Sequence, residues 1–123
     1  IKKFLPEFDF INFQELFSDF TSRKSSMIEW SKKIGYTWTS NTPKAPFFSK
    51  FFIDSGMLTI SRHEIVLKKY LPFKYKAGVD GLAFKGCLYS KIKLKKGKFL
   101  HLFNIHSQAS YSTEYTAEQH EHF

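Results

Sequence analysis

An α/β fold made largely of antiparallel strands is what this sequence predicts, and three stretches predict it. The first is a hairpin. β-Prone residues over 87–94 and 99–105 flank Lys95-Lys96-Gly97-Lys98, where Gly97 can supply the positive φ of a tight reversal. The second is a pair of short apolar segments, 8–15 and 56–61, that read as strands. The third is a helix over 22–34, with Met27, Trp30 and Ile34 on one face, Ile28 beside them and Gly35 ending it. A length of 123 residues suits one domain or one piece of a domain.

Taken in order, positions 1–5 read as the tail of a helix stopped by Pro6. Phe8, Phe10, Asn12 and Gln14 then alternate with Asp9, Ile11, Phe13 and Glu15. Both registers are largely apolar, which predicts a strand buried on both faces up to its polar end. Two adjacent polar residues closing such a strand are costly unless paired or metal-bound, so Glu15 is a functional candidate. Alternatively it opens a helix over 16–21. Residues 36–40 alternate and are β-prone, while 41–50, with two prolines, read as a loop. Phe47, Phe48, Phe51 and Phe52 form an aromatic cluster, either core or lid packing or a surface that meets lipid. The strand over 56–61 ends at Ser61-Arg62, and 65–71 continue in β-prone residues with lysines on one side. Gly78-Val79-Asp80-Gly81 turns into the hairpin. There Leu88, Ser90, Ile92 and Leu94 share one face, and Tyr89, Lys91 and Lys93 share the other. A polar loop over 107–112 and the start of a helix over 115–123, with Thr113 as N-cap, follow.

The formal net charge is +8, concentrated in two lysine patches over 68–76 and 91–98. Nucleic acid, an anionic membrane surface and plain solubility all fit that charge, and the turn lysines read as a solvated face. Fifteen phenylalanines demand a substantial core. A single cysteine, Cys87, excludes an internal disulfide framework and reads as a small buried hydrophobe. No apolar run approaches the roughly 20 residues that span a bilayer, and no signal peptide is visible, so the compartment stays open. The chain begins at Ile1, which predicts a processed form or a part of a longer protein. His106, His120 and His122 do not make a zinc motif.

Asp80, Lys85, Asn104 and His106 all fall at the non-turn end of the hairpin, where a site would converge. Here the sequence resembles a known family. Asp80-x4-Lys85-Gly86-x-x-Tyr89, then Phe103-Asn104-x-His106-x-Gln108-Ala-Ser-Tyr111, is similar to the endonuclease/exonuclease/phosphatase superfamily, closest to its neutral sphingomyelinase branch. Gln14-Glu15 resembles the family's strand ending in Gln-Glu. Asp54-Ser55-Gly56 leading to Ile60-Ser61-Arg62 resembles its strand ending in Ser-Arg. The four matches keep the family's order.

The resemblance implies part of a DNase I-like four-layer α/β sandwich, and an enzyme: a magnesium-dependent phosphodiesterase acting on sphingomyelin or a related phospholipid at a membrane surface. It makes Glu15 the carboxylate that holds Mg²⁺, a hard ion that takes one or two protein carboxylates besides water and substrate oxygens. His106 would hydrogen-bond the phosphoryl group or protonate the leaving oxygen. Asn104, two residues earlier on the same strand face, would support His106 or donate to phosphate. Asp80 and Lys85 resemble a phosphate-loop-like pair that acts as a switch positioning a catalytic residue; the alternative is a plain ion pair across a loop. Arg62 either contacts substrate or caps its strand. A nuclease or an inositol-phosphate phosphatase of the same fold stays open, as does a non-catalytic half-domain. Ser107, following His106, matches the secreted deoxyribonuclease branch, which keeps nucleic acid among the partners. The family's opening strand with its Asn, its later Asp-x-Asn pair and its terminal Asp-His have no counterpart here. The resemblance therefore implies that 1–123 is the first half of one domain. By itself it is expected to be inactive and to need the remaining half, or a partner chain, to cover its sheet.

Overall fold

The computed structural model describes residues 5–18, 21–43, 53–73 and 83–107. In chain order, a 3₁₀ turn (Leu5–Glu7) leads into β1 (Phe10–Phe13), α1 (Arg23–Lys33), β2 (Trp38–Asn41), β3 (Ile53–Asp54), β4 (Leu58–Ser61) and β5 (Ile65–Pro72). Then come β6 (Ala83–Phe84), β7 (Gly86–Lys93), a 3₁₀ turn (Lys95–Gly97) and β8 (Phe99–His106). They form an antiparallel sheet β1-β4-β2, an antiparallel sheet β5-β7-β8 and a parallel pair β3-β6. The largely antiparallel α/β expectation holds. The parallel pair has no local signal, since its partners lie thirty residues apart.

β4 is the central strand of its sheet, and all four of its residues are buried. Two of them are polar and are satisfied: Thr59 donates to Asn12 Oδ1 at 2.7 Å, and Ser61 to the His63 carbonyl at 2.8 Å. Its apolar residues Leu58 and Ile60 make the core with Tyr36, packed by Ile11, Phe13, Leu16, Met27, Ile28 and Ile34. Truncating Ile60 to Ala would cost about 2–5 kcal/mol. Of the predicted apolar face, Met27 and Ile28 of α1 and Ile34 just after it pack on this core, Trp30 is not among the packed residues, and the helix stops, as expected, before Gly35.

The hairpin forms as read. In β7, Leu88, Ser90 and Ile92 are buried while Tyr89 and Lys91 are half-buried and Lys93 exposed. The turn needs two left-handed residues, Lys96 (φ 61) and Gly97 (φ 72), and its lysines are solvated. Cys87 is buried, and burial pushes its thiol up from the usual range.

Several expectations are corrected. β1 is shorter than 8–15 and is not buried on both faces: Phe8, outside the strand, and Asn12 are exposed, and among the described residues β1 pairs with β4 alone. No helix follows Glu15 over 16–18, since the Leu16 amide is drawn away to the Gly56 carbonyl (2.8 Å). Pro6 sits inside the 3₁₀ turn Leu5–Glu7, and the helix tail expected ahead of it lies, over 1–4, outside the described residues. Tyr36 precedes β2 instead of starting it; its ring is in the core, and its hydroxyl donates to the Leu5 and Phe8 carbonyls. The aromatic cluster at 47–52, the turn over 78–81 that carries Asp80, and the loop and helix expected after Ser107 lie outside the described residues.

Candidate active site

The C-terminal ends of β1 and β8, the start of β7 and the turn before β4 meet at one place. Antiparallel registers bring them there: Phe13 lies across from Leu58, and Gly86 across from His106. Four of the six predicted site residues, Glu15, Lys85, Asn104 and His106, lie at this junction.

His106, 8% exposed, is fixed on three sides. Its Nδ1 lies 3.0 Å from the Ser55 carbonyl, and its Nε2 lies 3.2 Å from Lys85 Nζ and 3.7 Å from Glu15 Oε1. A carbonyl only accepts, so Nδ1 carries the proton and donates to Ser55. In the neutral ring Nε2 then has its lone pair free to accept from the Lys85 ammonium. Lys85 is buried and also donates to the Ser107 carbonyl at 3.3 Å.

Glu15 projects from a left-handed backbone (φ 60) that takes its side chain out of the β1 direction, and the side chain is 71% exposed. Gly56 makes room for it. A Cβ at Gly56, itself at φ 63, would sit 2.8 Å from the Glu15 Cα and the Leu16 nitrogen. Asn104, 2% exposed, ties β8 to the end of β1: its Nδ2 donates to the Phe13 carbonyl (3.0 Å), and its Oδ1 accepts from Gln14 Nε2 (3.4 Å). Gln14 donates to the Ile105 carbonyl as well. Asn104 and Gln14 therefore set the relative height of Glu15 and His106.

Arg62 is not brought to this junction. It lies at the other end of β4, where its guanidinium donates to the carbonyls of Pro6 (3.2 Å), Phe8 (3.3 Å) and Ile34 (3.0 Å) and sits 4.4 Å over the Tyr36 ring. These contacts are those of a strand cap, one of its two readings. Asp80 lies outside the described residues, so the Asp80–Lys85 pair is not seen; Lys85 is found against His106.

Sequence reasoning passed over Gln14 as a site residue, although the Gln-Glu match contained it. It also passed over the Ser55 carbonyl, a backbone group with no residue-type signal, and a buried ion pair between Lys24 and Asp54. Among the described residues no group of three or more His, Cys, Asp or Glu is arranged to hold a metal. A separate cleft of about 460 Å³ opens beside Lys24, Ser25 and Thr42. It contains none of the four junction residues.

A sphingomyelinase of Dictyostelium discoideum is 38% identical to the chain over 121 residues, 90% of this chain and 26% of its own length. Sphingomyelinase C of Bacillus cereus is 35% identical over 86 residues, 70% of this chain and 22% of its own length. The chain thus spans about a quarter of the curated relatives it matches. No family model matches it. Among solved structures, SmcL superposes with a TM-score of 0.71 at 27% identity, over 87% of this chain and 38% of its own. A Staphylococcus aureus beta toxin mutant with bound magnesium ions superposes with a TM-score of 0.74 over 93% of this chain and 41% of its own. At 23% identity that likeness speaks for the fold alone. Over the part of the fold that it spans, the chain is a relative of the sphingomyelinases, within the sphingomyelinase branch of the DNase I-like superfamily.

Proposed function

We propose that the protein to which this chain belongs is a magnesium-dependent phosphodiesterase that hydrolyses sphingomyelin or a related phospholipid. The observation that carries this reading is the convergence of Glu15, Lys85 and His106 at one strand-end junction, on a chain related to sphingomyelinases. Residues 1–123 would then be one part of the catalytic domain, with the rest of the site on other parts of the fold.

The donor set fits a magnesium ion of the kind bound by one carboxylate and several waters. Glu15 offers hard oxygens, and its exposure leaves room for a hydrated ion. When bound, the cation supplies charge neutralisation at the phosphoryl oxygens. The chain's own residues do the rest. Lys85 brings a point charge to the phosphate. His106, held through Nδ1 by Ser55, keeps Nε2 facing the place where Lys85 and Glu15 meet. Once protonated there, it can donate to a phosphoryl oxygen or to the leaving oxygen. For that, Lys85 must move off Nε2, because two donors cannot share one bond. Asn104 acts through the end of β1, keeping Gln14 and Glu15 against β8.

The test is an assay of the full-length protein on sphingomyelin vesicles and on plasmid DNA, with and without Mg²⁺. Head-group release that needs Mg²⁺, with plasmid left intact, is the expected result. Ser107 beside His106 favours nuclease activity as the second reading, and plasmid nicking without lipid turnover would select it. Titration calorimetry of Mg²⁺ into the wild type and Glu15→Gln checks the metal site separately. The expected outcome is binding that weakens at least tenfold in the variant; equal binding removes Glu15 from the site.

A further inference from the structure

Lys24 and Asp54 take no part in the chemistry above, yet they are buried charges directly beneath it. Asp54 is fully buried, and the Lys24 ammonium, 4% exposed, lies 2.6 Å from its Oδ2. A buried ion pair seldom improves stability over a packed apolar pair, because desolvation offsets the attraction. Its contacts indicate another role. Asp54 Oδ1 accepts the Gly56 amide at 2.7 Å, and Oδ2 also accepts from the Ser18 hydroxyl. Lys24 donates besides to Thr42 Oγ1 at 3.3 Å. The pair thus fastens the segment after β1, the first turn of α1 and the end of β2 to the short turn Asp54-Ser55-Gly56. The next two residues of that turn face the site. The Ser55 carbonyl holds His106 Nδ1, and the Gly56 carbonyl holds the Leu16 amide while the Gly56 backbone lies under Glu15.

We propose that Lys24 and Asp54 are a positioning pair: they anchor the 54–56 turn, and through it fix the tautomer and placement of His106 and the backbone under Glu15. This deepens the reading of the junction as an active site and rests on it. The two charges touch neither substrate nor cation in this scheme. They act through Ser55 and Gly56. A turn displaced by an ångström would misplace the imidazole and the carboxylate together, and misplacement of that size can cost about 10²-fold in rate.

The experiment compares the full-length wild type with Lys24→Met/Asp54→Ala, which removes both charges together, and with Tyr36→Phe. The latter loses the core hydroxyl whose single proton is shared between the Leu5 and Phe8 carbonyls, away from the junction, and controls for general destabilisation. Two quantities are read: kcat and KM on sphingomyelin vesicles, and the ¹⁵N shifts of the His106 ring, assigned by their absence in His106→Gln. In the pair-deleted protein we expect kcat to fall about 30- to 100-fold with KM within threefold, in line with the cost of misplacement. The His106 shifts should move from one tautomer towards an average of two. Tyr36→Phe should leave the shifts where they are and kcat within threefold. Where the double variant does not fold, Asp54→Asn carries the same test, because it keeps the Gly56 acceptor while replacing the oxygen that accepts from Lys24 and Ser18; a smaller shift in the same direction is expected. Unchanged His106 shifts in the folded variant, or a kcat loss no greater than that of Tyr36→Phe, overturn the proposal. The shifts need no turnover, so a wild type that is inactive on sphingomyelin would defeat the functional reading and leave the positioning role to be decided by the spectra.

Discussion

His106 has a carbonyl on one ring nitrogen and an ammonium on the other, so each neighbour restricts what the ring can do. The Ser55 carbonyl excludes one neutral tautomer, and Lys85 occupies the nitrogen that a phosphate would need. Under the proposed function Lys85 would act as a gate on the imidazole as well as a charge for the substrate. Asn104 sits one step back. Asn104→Ala would release the Phe13 carbonyl and Gln14 together. A loss of roughly 10- to 100-fold in kcat is the expected size for such a supporting contact, measured on lipid vesicles against the wild type. Tyr70 makes a separate prediction. Burial, with the Asp54 carboxylate adding to it, pushes its phenol from 10.0 up to about 12. The neutral phenol is thus favoured in the folded state, which binds more protons than the unfolded state between those values. Stability should fall as pH rises from about 10 to about 12, and be unaffected by this group below 10. Urea midpoints of wild type and Tyr70→Phe across that range test it: the two curves should converge as the wild type loses the contribution. A constant gap would mean that Tyr70 has no raised pKa.

At the scale of elements, the turn over 54–56 is the most sensitive piece of the site, although it is the least regular. Gly56→Ala would place a methyl 2.8 Å from backbone atoms of Glu15 and Leu16, at a φ of 63 that disfavours any side chain. Backbone cannot yield as a flexible side chain can, so both the junction and the packing of Leu16 should suffer. Thermal melts should drop by several degrees, with kcat reduced beyond what the melt alone explains; a variant with the native melting temperature and native turnover would contradict the close approach. What could be read from sequence follows the range of the interactions. The β7–β8 hairpin and α1 were legible because turn glycine, alternation and helical periodicity act over a few residues. Glu15, Asn104 and His106 were singled out by motifs that are local as well, and the structure brings them to one junction. Lys24 was not, since a lysine in the first turn of a helix looks like solvated charge until a carboxylate thirty residues later is folded against it. The shortness of β1 was hidden for a related reason: its apolar residues fit a central strand, and only the pairing order shows β4 as its one partner among the described residues. Arg62 carried two readings that residue type could not separate, and its three carbonyl partners, all distant in sequence, could not be read from its motif.

Across the whole molecule, the β5-β7-β8 sheet is asymmetric in a way that bears on what must lie beside it. One face holds Leu88, Ser90 and Ile92 in the interior. On the other, cross-strand rows run Leu67–Lys91–His101, Lys69–Tyr89–Phe103 and Leu71–Cys87–Ile105. Much of that face is apolar and open: Leu71 is 55% exposed, Phe99 44%, Phe103 56% and Ile105 46%. Tyr89 and Phe103 already stack at 5.1 Å, and the Lys91 ammonium lies 4.2 Å over the Phe99 ring, so the face is ordered and ready to pack. Sheets of α/β domains bury such faces under a further layer. The solved neighbours are more than twice as long as the segment matched here, with this chain covering 38% and 41% of two of them. A polypeptide of residues 1–123 by itself is therefore predicted to associate through this face. Light scattering over a concentration series should give masses above 14.5 kDa that rise with concentration. Phe99→Ser/Phe103→Ser should return the mass towards the monomer, because it removes two exposed aromatic rings of β8 without replacing Asn104 or His106. Circular dichroism should be unchanged between the two proteins. A wild-type fragment that stays monomeric at high concentration would mean that this face needs no covering layer.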